Sequence, residues 1–295
     1  IINIYYLLIA LKNFIFKNKN NHNLKSIYLQ IYLLSFNPKL IIGNNVDLRI
    51  FRIKKLLPDV TCICYQFGYV TKSTAKKLYK NSKFNCDYFL AFHKNDIRIF
   101  KSYIKSQFIV TGSIKNNFTS KIYKKRKYIT FISEYKKIYL KNMKFKKIEY
   151  IKYIVKCLEE FCKKNNYKLL IALRSNRNDK NLSRKDEINF YKNLLKINFS
   201  TNINQNPYRV AEKSIVCVGI HSNLCYELLS RDEKVLFINL NKSLYPPVYQ
   251  IRKKKLIFIE KKSKTEIFEK LNKLINLSGT SWKKYSKNLN KIYFD

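Results

Sequence analysis

Residues 214–239 read S-I-V-C-V-G-I-H-S-N-L-C-Y-E-L-L-S-R-D-E-K-V-L-F-I-N. The first part, 214–220, is a β-branched apolar run that ends around Gly219, as a buried strand does. The chain then turns through His221 and Ser222 into a stretch of helical period over 222–229. A second apolar run, 234–239, predicts the next strand. Strand, tight turn, helix and strand in that order make a piece of a doubly wound α/β unit. Ser222 is suited to cap the helix, and the amides beyond it form a natural phosphate site. Glu227 lies little more than one turn further on, where a carboxylate can accept hydrogen bonds from ribose hydroxyls. The competing reading is a capped core helix whose Glu227 faces solvent.

The same pattern extends in both directions. Short apolar runs at 40–43, 59–65, 88–92 and 107–110 predict four strands in the first half, and runs at 128–132 and 167–173 predict two more in the second. Each is a continuous run rather than a long alternation, which predicts parallel strands covered on both faces. Helical or loop segments separate them. Residues 26–36 have helical period and stop at Asn37-Pro38, because the residue before proline avoids the helical region. Ile148, Ile151, Ile154, Val155, Leu158 and Phe161 mark one face of a helix over 146–164. Ser183 with Asp186, and Ser263 with Glu266, resemble capping boxes that open helices at 187–195 and 267–277. The basic interruption K-I-Y-K-K-R-K at 121–127 marks a domain boundary. Two domains follow, 1–120 and 128–295.

Composition bounds the rest. The chain has 295 residues, 46% of them hydrophobic, enough for two sizeable cores and too many for a disordered chain. Lys and Arg number 60 against 19 Asp and Glu, for a formal net charge of +41. Such a charge attracts anions: nucleic acid, an acidic membrane face or phosphorylated small molecules. The lysines run the whole length among Ile, Asn, Tyr and Phe, the residues that AT-rich codons supply. A dedicated nucleic-acid binder concentrates its charge on one face or tail, so nucleic acid is the disfavoured partner. Seven cysteines include no C-x-x-C pair and several lie in apolar runs, which suits buried thiols in a reducing, cytoplasmic compartment. With three histidines (His22, His93, His221) and no His/Cys cluster, no metal site is expected. The chain opens on Ile1 rather than Met, as a fragment or trimmed chain would. Residues 1–16 are apolar but interrupted by Asn3, Lys12 and Asn13, too short for a span. They read as a buried helix or strand, with a membrane-surface anchor as the rival.

Several motifs, in order and spacing, resemble a known family. The 214–239 segment resembles the S-T-x-x-Y-E element of GT-B glycosyltransferases and of their CDP-glycerol glycerophosphotransferase and polysialyltransferase relatives. Asp87-Tyr88-Phe89-Leu90 and the run from Phe108 to Asn117 (F-I-V-T-G-S-I-K-N-N) resemble the D-Y-F-L and I-x-G-S-x-x-N-N elements of bacterial surface carbohydrate biosynthesis proteins. Tyr65-Gln66-Phe67-Gly68, the K-L-L-I-A-L-R run ending at Arg174, and the E-x-x-F-Y of Glu187, Phe190 and Tyr191 are similar to the same family. The matching pieces extend from about residue 26 to 239.

The resemblance implies a GT-B-like α/β fold, two Rossmann-like domains with parallel sheets facing across a cleft. It implies an acceptor-side domain at 1–120 and a donor-nucleotide domain at 128–295. The implied activity moves a sugar or polyol phosphate from a nucleotide-activated donor to a surface glycan or lipid-linked acceptor, without a cofactor or metal. Gln66, Gly68, Gly112 and Ser113 would line the acceptor side, and Arg174, Ser222, Asn223 and Glu227 the donor side. Arg174 could pair with donor phosphates as a bidentate donor, or be a solvated loop arginine. Gly112-Ser113 could let a ligand approach the backbone, or be a plain turn. The chain departs from the family at four places. Phe67 stands where relatives often have His or Asn, Asn223 replaces Thr, Cys225 replaces Gly, and Asp232-Glu233 replace the Gly after Arg231. Phe67 cannot serve as a base, so His93 and His221 are the remaining candidates. The expected location is cytoplasmic, peripheral on the anionic inner membrane face. The alternative is a catalytically silent basic protein that holds nucleic acid or an anionic membrane.

Overall fold

The computed structural model describes residues 4–17, 24–80, 82–114, 127–135, 145–174, 184–201, 207–240 and 255–293. The chain divides into two compact units, Ile1–Ile114 and Lys115–Asp295. Most of the basic stretch at 121–127, and Asn116 and Asn117, lie outside the described residues.

The first unit opens with two helices, α1 (Ile4–Lys17) and α2 (Leu24–Ser35). A four-stranded sheet follows: β1 (Leu40–Asn44), β2 (Thr61–Tyr65), β3 (Phe84–Ala91) and β4 (Ile104–Val110), in that spatial order and all parallel. The crossovers are α3 (Arg49–Leu56), α4 (Lys72–Tyr79) and α5 (Lys94–Phe100). Strands that neighbour in sequence order, joined by crossovers of one hand, carry their helices on one face. Accordingly Ile50, Phe51, Ala75, Tyr79 and Phe100 of the helices form one cluster with Cys62, Cys64, Cys86, Phe89 and Ile104 of the strands. The expected cover on both faces therefore holds for one face only among the described residues. On the other face Leu40 and Ile42 of β1 and Ile109 of β4 are exposed; Ile42 is in register with the half-buried Ile63 and, through it, Tyr88, and Ile109 with the half-buried Leu90. At Gly43 a Cβ would lie 2.9 Å from Ile50 Cδ1, so α3 sits directly on β1.

The second unit is a six-stranded parallel sheet. Its strands are β5 (Tyr128–Ile132), β6 (Lys168–Ala172), β7 (Ser200–Thr201), β8 (Ser214–Gly219), β9 (Val235–Ile238) and β10 (Phe258–Ile259). The helices are α6 (Phe145–Lys164), α7 (Arg184–Leu194), α8 (Pro207–Ala211), α9 (Asn223–Ser230), α10 (Lys264–Asn276) and α11 (Gly279–Tyr293). Here the sheet is buried on both faces: Phe131, Ile171, Val216, Val218 and all of β9 lie in the core. The six apolar positions expected on one face of α6 are all fully buried. Ser263 Oγ accepts from Glu266 N at 3.2 Å, forming the first half of the expected capping box. The Glu266 carboxylate is engaged by Lys270 instead, at 2.6 Å. Ser183 of the other expected box lies outside the described residues.

The strand order is β10-β9-β8-β5-β6-β7. The sequence therefore runs outward from β5 to one edge, returns to β8, and runs outward to the other. In such open sheets a crevice forms where the order reverses, beyond the carboxyl ends of the strands. Here that point lies between β5 and β8.

Candidate functional site

Both strands at the reversal end in polar residues. Beyond β5 come Ser133, Glu134 and Tyr135. Beyond β8 come Ile220, His221 and Ser222. Glu134 joins the two: its Oε1 accepts from the backbone N of His221 at 2.5 Å, and its Oε2 accepts from Lys147 Nζ at 2.7 Å. Both ion-pair partners are buried, Lys147 in the first turn of α6. A buried carboxylate of this kind persists only with such partners. The pair thus fixes the height at which the chain leaves β8 and turns toward α9.

A second carboxylate fixes the other side of β5. Glu187 of α7 accepts from Ser133 Oγ and, at 3.1 Å, from the backbone N of Arg174. Tyr191 OH lies 2.7 Å from Ser133 Oγ, and Phe190 stacks on Tyr135 with ring centres 4.7 Å apart. Burial pushes the Tyr191 phenol well above its ordinary range, so it remains protonated. The three E-x-x-F-Y residues therefore clamp the ends of β5 and β6. Arg174 is held by its backbone, and its side chain is exposed at the end of β6.

The turn into α9 is tight because of Gly219. A Cβ there would lie 2.3 Å from Cys225 Sγ, so the missing side chain lets α9 approach the strand. Cys225 replaces a glycine of the resembling family, and its sulfur fills the space over Gly219. Ser222 occupies the N-cap position with extended backbone, yet its side chain makes no cap hydrogen bond. The expected Ser222 cap is thus corrected: the residue has the right backbone for a cap, but its hydroxyl does not bond the helix amides. His221 Nδ1 lies 3.3 Å from Tyr226 OH. Burial, the largest cause, holds the His221 pKa below the usual histidine range. Lys147 acts in the same direction and Glu134 opposes it.

Glu227 does not face solvent, so that alternative is also corrected. It is 4% exposed, and its Oε2 accepts from Tyr208 OH at 2.6 Å. Tyr208 belongs to α8, and Glu212, the residue just after that helix, pairs with Arg231 at 3.0 Å. The Arg231 guanidinium lies over the Tyr208 ring, 5.8 Å from its centre. A short helix and the end of α9 are thereby locked together around Glu227.

In the first unit the expected residues gather at the carboxyl ends of the strands, but mostly as structural ties. The Gln66 carboxamide is fully engaged. Its Nε2 donates to Gly68 O at 3.0 Å and to Asp96 Oδ2 at 3.1 Å, and its Oε1 accepts from Phe92 N at 2.8 Å. His93 caps α5, with Nδ1 accepting from Asn95 N at 2.9 Å. Phe67 is exposed, while its backbone N donates to the buried Asn45 Oδ1 at 2.8 Å. Gly112 adopts φ +69° with open space where a Cβ would be, a left-handed conformation that favours glycine. Ser113 beside it is buried.

The structure thus brings His221, Ser222, Asn223 and Glu227 onto one turn and helix, with Arg174 at the end of another strand of the same sheet. Gln66, Gly68 and His93 gather in the first unit around Asp96 and Phe92. Sequence reasoning missed Glu134, Lys147, Ser133 and Tyr208. One signal was present: Lys147 falls on the apolar stripe of Ile151, Ile154 and Leu158, where a cation needs a buried partner. Among the described residues no group of His, Cys, Asp and Glu could hold a metal ion, and all seven cysteines are free and buried.

The family described as "putative O-antigen biosynthesis protein" matches residues 66–294. Among solved structures, the chain resembles UDP-GlcNAc 2-epimerase from Neisseria meningitidis bound to UDP-GlcNAc. That likeness has 15% identity and a TM-score of 0.51, covering 92% of this chain and 83% of the other. It also resembles S. aureus MnaA in a co-structure with UDP, at 14% identity and a TM-score of 0.57, covering 97% and 81%. A third likeness is to the Glycosylation Associate Protein (Gap123) complex from Streptococcus agalactiae. There the identity is 12% and the TM-score 0.50, and the likeness covers 96% of this chain but only 59% of the other. No curated protein matches the chain by sequence. What these structures share with the chain is the GT-B-type fold of two Rossmann-like domains.

Proposed function

Because the chain belongs to this O-antigen biosynthesis family, we propose that it is a transferase of surface-glycan assembly. It moves a sugar or polyol phosphate from a nucleotide-activated donor to a glycan or lipid-linked acceptor. The second unit takes the donor and the first the acceptor. The observation that carries this reading is the turn from β8 into α9 at the point where strand order reverses. Glu134 anchors its first amide at 2.5 Å, and the helix that follows opens without a side-chain cap. A helix start of this kind favours an anion, and a leaving diphosphate gains from such an end together with basic side chains. Arg174 is exposed and available for that role, and Glu227, buried and bonded to Tyr208 OH, is the carboxylate that reaches the ribose when Tyr208 yields it. His221, kept neutral near pH 7 by its lowered pKa, suits proton acceptance better than His93, whose Nδ1 caps α5. Seven free, buried cysteines and a net charge of +41 support a cytoplasmic protein held near the anionic inner membrane face.

Calorimetric titration tests the donor site. UDP is the first probe, since the solved structures that resemble the chain include one bound to UDP-GlcNAc and one to UDP. CDP-glycerol and CMP follow. One nucleotide is expected to bind, and Glu227→Gln should weaken it roughly tenfold to hundredfold, from the loss of one charge-assisted hydrogen bond. Absence of binding by every nucleotide, or equal binding by wild type and variant, overturns the assignment.

A further inference from the structure

We propose that the outward face of α1 docks on an anionic phospholipid bilayer. The helix is apolar on two opposite sides. Its inner side packs on α2: Ala10 is fully buried, and the Tyr6 and Tyr32 rings meet edge-on at 5.9 Å. Its outer side carries Ile4, Leu8 and Ile15 at 71%, 60% and 68% exposure, with Tyr5 beside them at 66%. Spacings of four and seven residues put the three aliphatic side chains on one stripe. Single exposed apolar residues are ordinary, but a line of three with an aromatic neighbour marks an interaction surface.

Charge selects the occupant. Neither helix has an acidic residue and the strand after them has no charge, so the only charges on these elements are cations, among them the exposed Lys12 and Lys25. Residues 1–114 hold 18 Lys and Arg against 4 Asp and no Glu, a net +14. A second copy would bring the same charge to the interface, whereas an anionic lipid surface brings the opposite one. The 14 described residues of the helix span about 21 Å, less than roughly 30 Å of hydrocarbon. No described helix is long and apolar enough to cross a membrane. The α1 helix lies in the interface plane instead, with its aliphatic stripe at the boundary of headgroups and acyl chains and Tyr5 at headgroup level. This inference is independent of the donor site.

Vesicle co-sedimentation of the full chain tests it, without nucleotide. Wild type is expected to bind equimolar phosphatidylglycerol–phosphatidylcholine vesicles and not phosphatidylcholine alone. The double variant Leu8→Asp, Ile15→Asp should bind roughly tenfold more weakly or worse, because two aliphatic contacts with the bilayer boundary are replaced by charges. A second variant, Leu8→Trp, reports depth directly. The one native tryptophan, Trp282, is buried and gives a constant background. Emission from position 8 should shift to shorter wavelength with vesicles and be quenched by brominated acyl chains. Four results overturn the proposal: no binding by wild type, wild-type binding by a folded double variant, vesicle binding with unchanged Leu8→Trp emission, or a dimer that the double variant dissociates. If the aspartate variant does not fold, the Leu8→Trp emission decides.

Discussion

Replacing Glu134 by Gln isolates the contact that joins β5, α6 and the β8–α9 turn. Gln keeps the size and leaves one carbonyl oxygen to accept from His221 N. It removes the negative charge 2.7 Å from Lys147 Nζ, in a place where both side chains are buried. Breaking one partner of a buried ion pair costs about 3–5 kcal/mol, because a buried charge loses its counter-charge. For a unit of this size each kcal/mol moves the melting midpoint by about 2–4 °C, so a fall of roughly 6–20 °C is expected. Urea and thermal unfolding followed by circular dichroism give the number. The double variant Glu134→Gln, Lys147→Met removes both charges and should recover most of the loss, since an apolar replacement of a buried pair is often neutral. A single-variant cost below about 1 kcal/mol refutes the reasoning. So does a double variant no more stable than the single one.

Other outcomes follow from the same geometry. Gly219→Ala should destabilise by about 1–3 kcal/mol, because its Cβ meets Cys225 Sγ at 2.3 Å; adding Cys225→Ala should recover part of that in urea unfolding. Ser263→Ala should cost about 1 kcal/mol through the lost α10 cap, while Ser222→Ala, with no cap bond to lose, should stay within about 0.5 kcal/mol by the same measurement. His221 should titrate below 6.5 by NMR, since burial lowers its pKa from that value. Its folded form binds a proton less readily than its unfolded form, so its contribution to stability is full above pH 6.5 and is lost as pH falls through the folded pKa. His221→Asn should flatten the stability profile in that window, and a titration at or above 6.5 contradicts this account.

Much of the fold was legible because parallel strands buried on both faces are continuous apolar runs. The core of α6 was legible too, because six apolar residues at helical spacing admit one face. The short crossovers α3, α4 and α5 were not distinguished from loops. They have 7 or 8 residues each and are rich in Lys and Arg, too short for periodicity to separate helix from loop. What makes them helices is burial of a few residues, such as Phe51, Tyr79 and Phe100, against the sheet. The single-sided cover of the first sheet was hidden for a related reason. It depends on strand order, which leaves no mark on each strand separately.

At the candidate site, the residues from Gly219 to Glu227 could be found because they adjoin one strand and one helix. Glu134, Lys147 and His221 could not be connected, since the carboxylate lies 87 positions from one partner and 13 from the other. The two-residue strands β7 and β10 were not expected. The other eight of the ten described strands, the apolar face of α6, the strongly basic character of the chain and the glycine before the turn into α9 could be read from the sequence by itself. Those properties are local, set by side-chain chemistry repeated at the period of a strand or helix. The order β10-β9-β8-β5-β6-β7, the pairing of Glu134 with Lys147, the burial of Glu227 under Tyr208 and the missing cap bond of Ser222 came from long-range packing. Each of these depends on which distant groups share a low-dielectric interior, where an unpaired charge or hydroxyl is costly and the partner is chosen by proximity rather than by place in the chain.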